Sequence, residues 1–195
     1  MKKLILKTGI LFLLILITAC AEKSTSYEVL FQKDANDWFS EGDAEWKFIN
    51  GALKGSLENG SGFVMTKESY SDFILELEFK PDSTINSGIF IRCKENTISN
   101  VDCYEINIWD LHPDQDSRTG AVVTRAKPLK KMETLDKWNS YKIKNDKHQL
   151  QIWLNDVLMI DIKDHDLNTG PIALQAAESG EILFRNVKLT PLFAP

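Results

Sequence analysis

The chain has 195 residues with 23 basic and 28 acidic side chains, so its formal net charge is −5. This length is sufficient for one domain with a substantial core. The acidic balance, without any basic cluster interleaved with aromatic residues, argues against a nucleic-acid partner. Neutral or cationic small ligands match such a surface better than polyanions do.

The first 19 residues have the organisation of a secretory signal peptide. Two lysines precede a short apolar segment at 11–17, which is followed by small residues and Cys20. This order is similar to a bacterial lipobox, where cleavage precedes an acylated cysteine. An uncleaved membrane anchor is the alternative, but the apolar segment is short for a membrane span. We therefore predict a signal peptide over 1–19, a lipid on Cys20 and a polar tether over 20–34.

This prediction places the protein at the bacterial cell envelope, on the outer membrane or facing the periplasm. The membrane is then a partner through the lipid anchor, and the domain itself would begin at residue 35.

From residue 35 onward, short segments with strand-like alternation follow one another. Residues 46–49 and 52–54 flank Asn50-Gly51, which is typical of a tight hairpin turn. Residues 73–80 alternate apolar and mostly charged side chains. No segment after the signal has the apolar period of a helix, so residues 35–195 are expected to form an all-β sandwich or jelly roll of two antiparallel sheets. Further strands are predicted at 88–93, 102–109, 121–124, 141–144, 150–154, 157–162, 172–175 and 182–189.

The strand at 102–109 carries the most suggestive side chains. By alternation, Glu105, Asn107 and Trp109 share one face, and Asp110 follows at the start of a polar loop. A carboxylate, an amide and an indole suit a sugar-binding cleft, although a solvated sheet face is the simpler alternative. Glu105 and Asp110 would lie about 16 Å apart on an extended strand. That separation is too large for a retaining or inverting carboxylate pair.

Arg92 ends the preceding predicted strand, and alternation places it on the same side as Glu105. It could orient Glu105 or polarise a carbonyl oxygen. An exposed cross-strand ion pair, which contributes little, is the alternative. His112, in the loop after the Glu105 strand, is a weaker candidate for proton transfer or sugar binding.

Cys93 and Cys103 flank the connection between these two strands. An exported compartment permits a disulfide. Alternation, however, groups Cys93 with Ile91 and Cys103 with Glu105, on opposite faces. The pattern slightly favours free thiols and leaves the bridge open.

The ordered motifs resemble the 3-keto-disaccharide hydrolase domain family, also known as DUF1080, over about residues 35 to 191. The motifs that carry this resemblance are Trp38, Trp46, Asn50-Gly51, Asp72-Phe73, Asn86-Ser87-Gly88-Ile89, Arg92, Tyr104-Glu105, Asp110, Thr119-Gly120-Ala121, Lys137-Trp138-Asn139, Leu154-Asn155, Gly170 to Gln175 and Phe184-Arg185-Asn186-Val187.

The resemblance implies a concanavalin-like jelly roll and an exported enzyme acting on glycosides with a ketone at sugar C3. Such a ketone makes the proton at C2 acidic. One base that removes this proton and one electrophile that stabilises the enolate are then sufficient for loss of the aglycone from C1. Glu105 would be the base or a metal-orienting carboxylate, and Arg92 would stabilise the enolate. Asp110 and Gln175 would bind sugar or a metal, so a divalent metal cofactor is one implication.

Three departures from the family pattern favour a second hypothesis. Members commonly have Gln at Asn107, Tyr near Val122-Val123 and His near Ala176-Ala177. The missing aromatic and histidine could mean altered substrate choice, loss of a metal or loss of catalysis. The alternative is therefore a non-catalytic carbohydrate-binding module on the same fold.

Overall fold

The computed structural model describes residues 26–94 and 97–192, so the predicted signal peptide and lipidation site lie outside the described residues. The described chain forms β-strands and one short 3-10 turn, Gln115–Ser117. The strands are β1 Glu28–Val29, β2 Trp38–Gly42, β3 Glu45–Ile49, β4 Ala52–Leu57, β5 Ser61–Thr66, β6 Phe73–Pro81, β7 Ile85–Ile91, β8 Tyr104–Ile108, β9 Asn139–Asp146, β10 Gln149–Leu154, β11 Val157–Lys163, β12 Ala173–Glu178 and β13 Gly180–Pro191.

These strands form two antiparallel sheets, which confirms the predicted β-sandwich. The larger sheet has the order β11-β10-β9-β6-β13-β4-β3, with β1 added to β13. The smaller sheet has the order β2-β5-β12-β7-β8. The predicted hairpin joins β3 to β4, and both Asn50 and Gly51 have positive φ angles, 51° and 79°, as a type I′ turn requires.

The core lies between the sheets and follows the alternation of each strand. Leu75, Leu77 and Phe79 of β6 face Ile89 and Ile91 of β7 within one buried cluster. Their neighbours in the sequence point away from the core, so each sheet also has an outer face.

The edge strand β8 is covered by the polypeptide at 120–123. The amide of Val123 donates to Glu105 O at 3.0 Å, and the amide of Asn107 donates to Ala121 O at 3.1 Å. The predicted strand at 121–124 is reduced to an isolated bridge at Val122. This pairing occupies the backbone groups that an exposed edge would offer to another chain.

The N-terminal boundary differs from the predicted one. Residues 28–31 lie within the predicted tether, yet Glu28 and Val29 pair with β13 and the next two side chains are buried. Apolar Leu30 and Phe31 contribute to the main core, which explains why this part of the segment lies on the domain.

Cys93 and Cys103 are joined by a disulfide. Strict alternation argued against this pairing, but Arg92 adopts a left-handed conformation with φ 53° immediately after β7. The alternation therefore stops at Ile91. Both cysteines lie in a small cluster on the outer face with Phe90, not in the main core with Ile91.

Among residues 26–94 and 97–192, the structure has no helix with the length and apolar character needed to cross a bilayer.

Candidate functional site

The outer face of the five-stranded sheet combines aromatic rings with two polar side chains. Phe90 lies opposite Glu105 in the β7–β8 register, and its ring meets that of Phe63 edge-on with centroids 5.5 Å apart. Phe90 is only 2% exposed, whereas Phe63 is half-buried. Glu105 is thus bordered by an apolar surface that excludes part of its water.

Glu105 is the most unusual ionisable group on this face. Its half-buried carboxylate has no hydrogen bond or ion pair with any residue in the described ranges, although its backbone oxygen accepts from Val123. Burial without a compensating partner disfavours the charged form and raises the pKa of Glu105 to about 7. A carboxyl group that titrates near neutrality can both take and return a proton.

Gly88 leaves a gap beside this carboxylate. A methyl group on Gly88 would lie 3.4 Å from Oε1 of Glu105 and 3.3 Å from the Phe90 ring. The β7–β12 register places Gln175 on the other side of Gly88. Glu105 and Gln175 therefore border a strip of sheet on which a ligand can approach the backbone closely.

Gln175 is the second polar group on this strip that lacks a full set of partners. The residue is 9% exposed, and its buried Oε1 accepts no hydrogen bond from the part of the chain that the structure describes. A buried acceptor without a donor is costly, so this amide is suited to a ligand hydroxyl or a water molecule.

Asn107 shares the face of Glu105 by register, but its amide is fully engaged within the protein. Nδ2 donates to Ser117 O at 2.5 Å, and Oδ1 accepts from the Ile108 amide at 2.9 Å. Its backbone oxygen also accepts from the Tyr141 hydroxyl at 2.8 Å. Asn107 therefore holds the loop after β8 against the rest of the sandwich.

Asp110 is likewise committed to structure. Its carboxylate accepts from the amide and the hydroxyl of Thr134, at 2.6 and 2.9 Å, and its side chain is fully buried. Arg118 lies nearby, with 3.9 Å between Nη2 and Oδ1. An oxygen pair engaged in this way has little capacity left for a sugar or a metal ion.

Arg92 does not face Glu105, which differs from the expectation based on alternation. Its guanidinium donates to the carbonyl oxygens of Ser71, Lys147 and Leu167 and to Asp72, over 2.6–3.0 Å. The left-handed conformation of Arg92 sends its side chain away from the outer face. With every donor nitrogen bonded and only 1% of the residue exposed, it ties three loops together.

Trp109 and His112 lie together at the start of the loop that follows β8. Their rings meet edge-on, with centroids 4.6 Å apart, and Trp109 is half-buried. Nδ1 of His112 is paired with the backbone of Asp114, at 2.7 Å from its oxygen and 3.0 Å from its nitrogen. The pair gives this end of the sheet an aromatic border.

Three further residues shape the site, although the sequence predicted no site role for them: Phe63, Gly88 and Phe90. Alternation along β5 and β7 indicated their position. Phe63 and Phe90 are sequence neighbours of the core residues Val64 and Ile89, so they point to the opposite face of the sheet. Alternation left open whether Phe63 lines the cleft or the core, and its pairing with Gln175 across β5 and β12 places it on the outer face.

A metal centre finds no support in the geometry of these residues. Within 26–94 and 97–192, no three His, Cys, Asp or Glu side chains are grouped so that they could hold a metal ion. Asp110, the predicted acidic ligand, is occupied by Thr134. We therefore derive no chemical step through a metal.

Comparisons with known proteins agree with this architecture. A candidate glycosyl hydrolase from Parabacteroides distasonis ATCC 8503 has a similar structure, with a TM-score of 0.71 and 22% identity over 86% of this chain and 100% of that one. A second candidate glycosyl hydrolase from the same organism has a TM-score of 0.72 and 20% identity, covering 86% and 94% of the two chains.

The carbohydrate-binding module CBM66 from Bacillus subtilis is also similar, with a TM-score of 0.64 and 20% identity over 81% of this chain and 98% of that one. No protein of curated function matches the sequence. A family model described as the 3-keto-alpha-glucoside-1,2-lyase-like domain matches residues 26–190. The chain therefore belongs to the family of 3-keto-alpha-glucoside-1,2-lyase-like domains.

Proposed function

We propose that the outer face of the five-stranded sheet binds a glycoside with a ketone at C3 and that Glu105 removes the proton at C2. The observation that carries this proposal is the half-buried carboxylate of Glu105, which has no partner among residues 26–94 and 97–192 and whose pKa is raised to about 7. A general base works best when its pKa lies near the working pH. Membership of the 3-keto-alpha-glucoside-1,2-lyase-like family supports this choice of substrate class.

The reaction begins when Glu105 takes the C2 proton and the electrons of that C–H bond form an enolate with the C3 ketone. The enolate then expels the aglycone from C1, which leaves a double bond between C1 and C2, and the departing oxygen takes a proton from the water whose hydroxide adds next. Addition of this hydroxide at C1 and return of a proton to C2 complete a net hydrolysis. One carboxyl group that both accepts and returns a proton serves this route, without a second carboxylate at a set distance.

The groups beside Glu105 would position the sugar. The amide of Gln175 can exchange hydrogen bonds with a hydroxyl or carbonyl oxygen, and the half-buried ring of Phe63 can pack against the apolar face of a pyranose. Arg92 takes no part in this mechanism, because its donors are already bonded.

A carbohydrate-binding module without catalysis is the second candidate function. It is favoured by one observation: no cationic side chain among the described residues forms an ion pair with Glu105, which leaves the enolate without a positive partner. The similarity in fold to the module CBM66 is consistent with this alternative.

Turnover of matched substrates separates these two functions. The purified full-length chain and its E105Q variant would be given 3-keto-glucosides and the corresponding unoxidised glucosides, with and without a chelator. Release of aglycone from the keto compounds alone, abolished in E105Q, supports the elimination route. Binding of both sugar sets without release from either supports the module, and release from the plain glucosides refutes the mechanism.

We further propose that the protein is exported to the cell envelope and anchored there through Cys20. The order of the N-terminal sequence supports this, with a basic start, a short apolar segment and small residues before the cysteine. Mass spectrometry of the mature N-terminus would detect an acylated Cys20. An intact Met1 or a cleavage site elsewhere would refute the anchor.

A further inference from the structure

Two motifs that the proposed reaction does not use meet on the opposite side of the molecule. The guanidinium of Arg185, from the Phe-Arg-Asn-Val motif, lies 3.8 Å from the ring centroid of Trp138, from the Lys-Trp-Asn motif. Arg185 and Asn186 both donate to Glu78. Their meeting point is the outer face of the eight-stranded sheet, away from Glu105.

A bulge in β13 opens this face. The β6–β13 register shifts between Arg185 and Lys188, and Asn186 between them has φ 53°. Such a bulge bends the strand and interrupts the ladder. Asn186 is exposed at the border of the resulting groove, which has a volume of about 420 Å³. That volume lies within the range of small-ligand sites.

A row of side chains crosses the floor of the groove on four adjacent strands. Trp153 pairs with Lys142, Lys142 with Glu76, and Glu76 with Lys188. Glu76 thus has an ammonium on each neighbouring strand, and Glu78 is neutralised by Arg185. Asp156 adds a third carboxylate at the border of the groove, so three carboxylates stand against Lys142, Lys188 and Arg185. The lining therefore offers donors and acceptors in turn without a dominant sign of charge.

Trp153 supplies an aromatic surface within this polar groove. Its indole is half-buried, and the Lys142 ammonium approaches its ring centroid only to 5.7 Å. Trp138 differs, because Arg185 lies directly over its ring. A flexible, exposed lysine can be displaced from the Trp153 ring. The Arg185 guanidinium is paired with Glu78 and covers the Trp138 ring, which leaves that ring unavailable to a ligand.

From these features we propose that this groove is a second carbohydrate site, which binds a neutral oligosaccharide with one ring packed on Trp153. Sugar hydroxyls both donate and accept, as the alternating carboxylates, ammoniums, Asn186 amide and Ser140 hydroxyl require. The apolar face of the ring covers the indole. The balanced charges favour an uncharged glycan over an anionic one. This site is independent of catalysis at Glu105 and would hold the protein on a glycan.

The indole signal of Trp153 provides a direct test. In NMR spectra of the 15N-labelled full-length E105Q protein, Trp153→Phe identifies this signal by its absence. We would titrate cellohexaose, maltohexaose and laminarihexaose to about 10 mM, a range that detects weak millimolar binding. At least one should shift the Trp153 signal in a saturable manner.

Variants connect the shift to the groove. Trp153→Ala should weaken binding at this site at least tenfold, measured through the backbone signals of Ser140 and Asn186, while its unfolding midpoint reports that the fold remains. Gln151→Ala, two residues earlier on the same face and paired with Asp161, is the matched control and should bind within twofold of the parent. No shift with any of the three sugars, or a shift only with hexagalacturonate, would overturn the proposal.

Discussion

Arg92, directly after the end of β7, and Glu105, on the adjacent strand β8, are two charged side chains with opposite surroundings. Arg92 lies just beyond β7 with every donor nitrogen bonded to a carbonyl oxygen or to Asp72. Glu105 lies opposite Phe90 of the same strand, with no partner for its carboxylate in the described ranges. The sequence interpretation joined the two as base and electrophile.

The contrast shows how burial separates structural from chemical roles. A buried charge whose hydrogen bonds are all satisfied by the protein holds loops in place and has no free donor or acceptor for a ligand. A half-buried charge without partners is a cost in the folded state, and its raised pKa makes it available for proton transfer. Substitutions at these residues and at their neighbours test this contrast.

Glu105→Gln should have the largest effect on activity. Removing a general base lowers the rate by about 10²–10⁴-fold. Stability should be unchanged or improved at neutral pH, because the uncharged amide carries no desolvated charge. Aglycone release and urea unfolding would be measured together. A stable E105Q protein with full turnover would place the base elsewhere.

Arg92→Met should mainly reduce stability, by about 3–5 kcal/mol, since it strips the partner from Asp72 and from several buried carbonyl oxygens. Arg92→Lys keeps the charge but not the geometry, and should lose about 1–3 kcal/mol.

Urea unfolding of both variants tests this, with the exposed Lys142→Ala as the control. Turnover by folded Arg92→Lys should match the wild type. If an Arg92 variant kept full stability but lost turnover, Arg92 would instead act directly on the reacting atoms.

Titration of Glu105 should appear in both rate and stability. The rate should rise with pH and level off above about 7, because the base acts when ionised. The folded-state pKa is raised above the ordinary value of 4.5, so the stability associated with the protonated group is present below about 4.5 and lost as pH rises through about 7.

Urea unfolding of wild type and E105Q would be measured across this pH range. The difference between their free energies of unfolding isolates the titration of Glu105, because the histidines contribute equally to both proteins. A difference that does not change with pH would contradict the raised pKa.

Gln175→Leu should have the smallest effect on stability. It removes a buried acceptor that lacks a donor within the described part of the chain, so the free energy of unfolding should stay the same or rise by about 1 kcal/mol. KM for a keto-glucoside should rise if the amide binds the sugar. Asn107→Leu is the contrasting variant and should lose about 1–3 kcal/mol, because its amide is bonded at both ends. Equal losses in both variants would show that Gln175 is also structural.

Much of the sandwich could be predicted from local patterns. The hairpin around Asn50-Gly51 and the strand β6 follow from turn chemistry and period-two alternation. Strand β1 could not be predicted, because two residues carry no period and their pairing with β13 depends on distant chain. The disulfide was obscured for a related reason: one left-handed residue, Arg92, ended the alternation on which the parity argument depended.

The sequence by itself determined the family, the all-β class and the candidacy of Glu105, because motifs, alternation and a carboxylate that shares a strand with an amide and an indole are local properties. Only the tertiary structure decided which polar residues remain available. Arg92, Asn107 and Asp110 looked equivalent to Glu105 along the chain, yet each meets partners from distant segments. Hydrogen-bond satisfaction depends on groups brought together by folding, and it leaves Glu105 and Gln175 as the groups suited to a ligand.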